Sequence, residues 1–180
     1  MKLADIKPHL RPYSIVQRRK TTINHAFAAA IAPCEPYDFE RTCEAMRSLE
    51  QDPADLLCVY CRSKAETWDH VQATVSKTQF SGFGHRLGNL VPCCKTCNSR
   101  KGNQRWSDYL EKLGLSPAEA AARRRLILAY IERYGARDRV PTERTEYQQL
   151  QEIRAQVLEL FARADALASQ LRQEAHSADV

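Results

Sequence analysis

Two Cys-x-x-Cys pairs, Cys58-Val-Tyr-Cys61 and Cys94-Lys-Thr-Cys97, stand on either side of a carboxylate and an imidazole, Asp69 and His70. Asn89 lies in the connection, and Asn98 directly follows the last cysteine. Each pair offers two thiolates from a tight turn, and four thiolates are a common tetrahedral donor set for structural Zn²⁺. A closed Cys₄ site leaves no position for water, so this zinc is expected to hold the fold and do no chemistry. Any chemistry then falls to the residues it pins: Asp69, His70, Asn89 and Asn98. Cys93 is a surplus thiol. The spacing from Cys94 to Cys97 repeats that of the first pair, which selects Cys94 as ligand and Cys93 as neighbour. Cys43 falls on an apolar helical stripe and reads as a small buried hydrophobe. Cys34 and His25 have no partner at ligand spacing and are read as structural.

The whole run, with Asn89-Leu90-Val91-Pro92 before the second pair and Cys97-Asn98-Ser-Arg-Lys101-Gly102 closing it, resembles the HNH endonucleases over residues 57–105. Asn98 stands where that family often has its last histidine, giving an HNN version. The resemblance implies a ββα-metal core, two strands and a helix around one catalytic cation, and hydrolysis of phosphodiester bonds. It implies His70 as general base, since an imidazole with an ordinary pKa near 6.5 is largely neutral at pH 7. Asp69 and Asn98 would hold the cation. One carboxylate and one amide oxygen suit Mg²⁺ or Mn²⁺ and leave positions for water and phosphate. Asn89 would tie the connecting loop to the strands through side-chain hydrogen bonds. Double-stranded DNA as the partner rests on the resemblance alone. The competing reading is a zinc-stapled nucleic-acid-binding or adaptor module without catalysis, and a third is an interaction subunit whose nuclease needs a partner.

The positively charged residues are unevenly placed. Residues 143–180 hold four Arg against seven acidic residues, while residues 1–142 hold 23 basic and 15 acidic ones. A basic body with an acidic tail fits a polyanion bound by the body, or merely a soluble protein with a pI near 8.9. Arg100, Lys101 and Arg105 follow the second pair as phosphate contacts that position a duplex without reading sequence. His85 and Arg86, in the glycine-containing stretch 71–88, are further contacts or ordinary surface residues. Seven cysteines without a secretory apolar segment point to metal-bound thiolates in a reducing cytoplasm, and no apolar run approaches a membrane span.

The elements that must position these residues follow from periodicity and caps. The expected fold is mainly α with a small β-hairpin, a zinc-stapled ββα-metal core flanked by N-terminal helices and a C-terminal helical hairpin or coiled coil. Three regions are expected: a basic arm and helices over 1–56, the core over 57–114, and helices over 115–180. Pro8 and Pro12 argue for a partly extended arm, followed by a helix from Thr22 to Ala32. Asp38 starts a second helix with Phe39, Cys43, Met46 and Leu49 on one stripe. Leu56-Leu57 and Ala65–Trp68 are expected to form the hairpin around the first knuckle. A helix from Lys95 stops at Gly102, and a further helix covers Asn103–Leu113. Ser116-Pro117-Ala118-Glu119 is a capping box opening a helix that closes at Tyr134-Gly135. Beyond Pro141, Leu150, Val157, Ala164 and Leu171 alternate with Ile153, Leu160 and Leu167 as heptad positions. That row predicts a homodimer through residues 143–175 or a fold back onto the helix before it.

Overall fold

The computed structural model describes residues 2–178. It is mainly helical with a small antiparallel strand pair, as the patterning implied. The elements are α1 (Ile15–Ala30), α2 (Phe39–Ser48), β1 (Thr67–His70), β2 (Val75–Ser76), β3 (Gln79–Phe80), β4 (Leu90–Cys93), α3 (Lys95–Lys101), α4 (Trp106–Glu111), α5 (Pro117–Tyr134) and α6 (Thr145–Ala178). Ala28–Val140 form one compact unit, and the described residues on either side form a second.

The unit Ala28–Val140 carries the cysteine pairs. Its core joins Met46 and Leu49 at the end of α2 to Val59, Tyr60, Val71 and Val91, and to Trp106, Tyr109, Leu110, Ile127 and Tyr130. Asp38 caps α2 by accepting the Arg41 N–H at 2.9 Å, and of the expected stripe Cys43, Met46 and Leu49 are buried while Phe39 is exposed. The capping box of α5 forms: the Ser116 hydroxyl accepts from Glu119 N at 3.3 Å, and Ser116 N donates to the Glu119 carboxylate at 3.0 Å. The Tyr130 hydroxyl donates to the Leu90 carbonyl at 2.8 Å, so α5 is fixed to β4 at the level of the candidate site. Tyr60 and Tyr109 meet edge to face with centroids 5.3 Å apart.

The longest strand pairing lies beyond the expected hairpin. β1 pairs antiparallel with β4, in the register Thr67↔Cys93, Trp68↔Pro92, Asp69↔Val91 and His70↔Leu90. Leu57 and Lys64 make only a single bridge. Two backbone bonds flank it, Ala65 N to Leu56 O at 3.0 Å and Cys58 N to Ser63 O at 2.7 Å, and the turn falls at Arg62, left-handed at φ 65°, so the expected hairpin is present but short. The stretch 71–88 is not one loop. It contains a short hairpin, β2 with β3, turned by Lys77 and Thr78 at φ 49° and 69°. Two successive left-handed residues suit such a turn, but Lys and Thr give no warning of it in sequence. Phe80 buries this hairpin against Ala28, Ala32 and Val140.

In the other unit, Leu3–Leu10 form a 3-10 helix with no buried residue, where a partly extended arm was expected. α1 starts at Ile15, well before the expected Thr22. Its first N–H groups are capped from α6: Asp165 accepts from Ile15 N at 2.7 Å and Val16 N at 3.1 Å. That distant carboxylate adds to a local cap, since the Ser14 hydroxyl accepts Gln17 N at 3.2 Å. α6 runs 34 residues, and its heptad residues Ile153, Leu160 and Leu167 remain half or more exposed. No helix among the described residues is long and apolar enough to cross a membrane.

Candidate functional site

The four cysteines selected by spacing come together. The sulfurs of Cys58, Cys61, Cys94 and Cys97 all lie within 4.8 Å of one another. A tetrahedral zinc with ~2.3 Å bonds needs sulfurs about 3.8 Å apart, and Cys61 and Cys94 stand at 3.7 Å. The donor set therefore fits a structural Zn²⁺, held by Cys58, Cys61, Cys94 and Cys97. Cys58 is lowered to about 4, chiefly by a hydrogen bond with the Cys93 thiol, so a thiolate is available there. Burial pushes Cys97 up, a penalty that a cation would offset. Cys93, buried 3.9 Å from Cys58, is the neighbour rather than the ligand. The Cys94 sulfur also accepts the Cys97 N–H at 3.3 Å, capping α3 with a ligand atom. α3 ends at Gly102, at φ 48°.

β1 and α3 place the remaining residues. Alternate strand residues face opposite sides, so Thr67 and Asp69 share one face and Trp68 and His70 the other. Asn98 lies on the Thr67–Asp69 side of β1: its amide nitrogen donates to the Thr67 hydroxyl at 3.4 Å and the Trp68 carbonyl at 3.3 Å. Both bonds use Nδ2, which leaves the amide oxygen, the atom a cation would take, unspent on them.

Asp69 is 4 % exposed and bound by two neighbours. Its Oδ2 accepts the Tyr60 hydroxyl at 2.7 Å, and the Lys101 ammonium lies 3.1 Å from both Oδ1 and Oδ2. Burial raises the Asp69 carboxyl above the ordinary range, with Lys101 and Tyr60 pulling the other way. Burial and the Asp69 charge likewise push the Tyr60 phenol up, so it stays a donor. In this arrangement Asp69 is bound by Lys101 and Tyr60, while Asn98 bonds to Thr67 and the Trp68 carbonyl. Lys101, expected as a phosphate contact, is corrected to an interior residue: it is 1 % exposed, because its ammonium neutralises a carboxylate that the fold has buried.

On the other face, His70 Nε2 and His85 Nδ1 are 2.9 Å apart, and the rings meet edge to face. His85 is held by its own backbone: its N–H donates to Pro33 O at 2.8 Å, and its carbonyl accepts Glu35 N at 3.0 Å. His70 is lowered to about 4, first by burial and then by His85 and Lys101, so it is neutral throughout the physiological range. Trp68 is 45 % exposed on the same side of β1 as His70.

Asn89 does what its position suggested. Its carbonyl oxygen accepts Gln72 N at 2.8 Å and its amide donates to Gly84 O at 3.0 Å, joining two points within the 71–88 stretch. Gly88, at φ 82°, lets the chain approach α5 so closely that a Cβ there would lie 2.3 Å from Tyr134 C and Gly135 N. Arg86 is taken by Asp138 in a two-pronged bond at 2.7 and 3.1 Å. Arg105 is exposed and paired with Asp108 at 2.9 Å, and Arg100 is exposed on α3. Sequence reasoning missed Tyr60 as the partner of Asp69 and His85 as the partner of His70. A tyrosine between two ligands and a histidine in a glycine-containing stretch carry no local sign of either role.

Together β1, β4, α3 and the two knuckles define a ββα module with a Cys₄ donor set for zinc. A family model described as HNH endonuclease matches residues 58–104, the same stretch. No curated protein and no solved structure matches the chain. The match points to a nuclease-type or nucleic-acid-binding function.

Proposed function

We propose that the chain is an HNH-type endonuclease that hydrolyses phosphodiester bonds in DNA, with His70 as the general base. The observation that carries this reading is His70 itself, neutral and held by His85 at the end of β1, inside the matched stretch. As a base it must donate Nε2–H to His85 and keep Nδ1 unprotonated, ready to take a proton from water. Arg100 and Arg105 are the exposed charges near the end of α3 that would position phosphates. Dependence on Mg²⁺ or Mn²⁺ is part of the proposal. Asn98 supplies an amide oxygen for such a cation, while Asp69, covered by Lys101, is left out of the ligand set. A homodimer through α6 is also proposed, supported by the exposed apolar row Ile153, Leu160 and Leu167 at heptad spacing.

The covering of Asp69 favours a second reading, a zinc-stapled DNA-binding or adaptor module that never cuts. Supercoiled plasmid incubated with purified protein and Mg²⁺, Mn²⁺ or EDTA separates the two. Cation-dependent nicking that vanishes in His70→Ala, with zinc content and circular dichroism retained, is the expected result. Salt-sensitive binding without nicking under any cation selects the adaptor. Size-exclusion with light scattering checks the dimer, and a monomeric mass would refute it.

A further inference from the structure

We propose that Lys101 is the positioning residue of this site, and that Asp69 serves its ammonium rather than a divalent cation. The inference rests on the reading of His70 as the working imidazole, but its geometry is independent of cleavage. Lys101 lies at the end of α3 and is 1 % exposed, the deepest charged group among the described residues. Its ammonium meets Asp69 at 3.1 Å, donates to the His70 carbonyl at 2.8 Å and reaches the Gly102 carbonyl at 3.4 Å. An ammonium has three protons, and each has a partner here. One group thus ties the last turn of α3 to the backbone of the residue that carries the imidazole.

Asp69 is the counterpart that allows this. Opposite Val91 in the β1–β4 register, it turns inward, where an unpaired ammonium would be costly to bury. Tyr60 takes a further position on Oδ2 at 2.7 Å, so two neighbours of the chain itself hold the carboxylate. A cation at Asp69 would thus compete with the ammonium that also holds the His70 carbonyl.

The test uses the zinc-loaded full chain without DNA. Histidine-ring ¹H–¹⁵N spectra report the His70–His85 contact directly. Lys101→Met is expected to shift the His70 ring signals while those of His25 stay in place. Unmoved His70 signals in a folded, zinc-retaining Lys101→Met protein would overturn the positioning role. Should that variant lose its fold, the double variant Asp69→Asn/Lys101→Met, which removes both charges, carries the same measurement. Mn²⁺ binding followed by electron paramagnetic resonance tests the other half. Wild type and Asp69→Asn are expected to agree within about twofold, including no detectable binding in either. A tenfold weaker Mn²⁺ affinity in Asp69→Asn would make Asp69 a ligand and end the proposal. If wild type never nicks DNA, the endonuclease reading fails while both readouts still decide this one.

Discussion

Removing the ammonium of Lys101 should be among the most damaging single changes available in this chain. Lys101 and Asp69 side chains are 1 % and 5 % exposed, so neither charge has water to fall back on. Breaking such a pair by deleting one partner costs about 3–5 kcal/mol, because the survivor is left buried and uncompensated. Methionine fills much the same volume as the lysine stem, so Lys101→Met isolates the charge from the packing. With a urea m-value of roughly 2 kcal/mol/M, the unfolding midpoint should fall by roughly 1.5–2.5 M. Removing both charges in Asp69→Asn/Lys101→Met should cost less than Lys101→Met alone, a coupling of at least about 2 kcal/mol. The cost should also depend on pH. Burial already raises the Asp69 carboxyl, with Lys101 opposing it, and without Lys101 the carboxyl rises further. A carboxyl raised in the folded state destabilises above its ordinary value of ~3.9 and not below it. The penalty of Lys101→Met is therefore largest near pH 7 and shrinks toward pH 4. Urea titrations of wild type, Lys101→Met, Asp69→Asn and the double variant at pH 7.5 and 5.0 measure all of this. A Lys101→Met protein within about 1 kcal/mol of wild type at both pH values would refute the buried-pair reasoning.

Chelating zinc, or replacing Cys58 or Cys97 by serine, should unfold the Ala28–Val140 unit, since metal binding at a Cys₄ site is folding energy; circular dichroism unchanged after exhaustive chelation would contradict it. Gly88→Ala should cost about 2–5 kcal/mol, since the new Cβ meets α5 backbone at 2.3 Å with φ at 82°. Gly114→Ala, at φ 67° with open space around it, should cost only about 1 kcal/mol, and equal melting losses would show that crowding is not the cause. His70, lowered to about 4, stays neutral while the unfolded chain takes up a proton, so stability should fall as pH drops from about 6.5 toward 4. Allowing for partial exposure, this amounts to about 1–2 kcal/mol by pH 5. The same pH slope in His70→Gln as in wild type would remove His70 as its source.

Much of the candidate site was legible because it is written in short-range spacing. Two cysteines three apart can share a metal from one turn, and Cys94 over Cys93 follows from that spacing alone. The Ser116 capping box and the Ile127, Tyr130, Tyr134 stripe are likewise set within a turn or two of helix, and α5 forms as they imply. Asn89 next to a glycine-containing stretch became a clasp on Gln72 and Gly84. Elsewhere local signals misled. Pro8 argued for an extended arm, yet Leu3–Leu10 turn into a 3-10 helix, and only the few residues around Pro12 stay non-helical before α1 begins at Ile15. Leu56-Leu57 does pair back toward Ala65, but only over one bridge, and the longer ladder is β1 with β4, which no local pattern announced.

What the sequence determined by itself is therefore the chemistry on offer: a zinc-binding set, an imidazole beside a carboxylate, a basic body, helices with marked ends. What tertiary structure alone decided is which groups face which. The fold pointed Asp69 inward and His70 outward, chose Lys101, 32 residues away, to neutralise the one, and chose His85 to hold the other. The reason is physical. Capping and metal spacing act over one turn of chain and leave a mark in the letters, whereas a buried charge takes whichever partner the packed elements bring within about 3 Å.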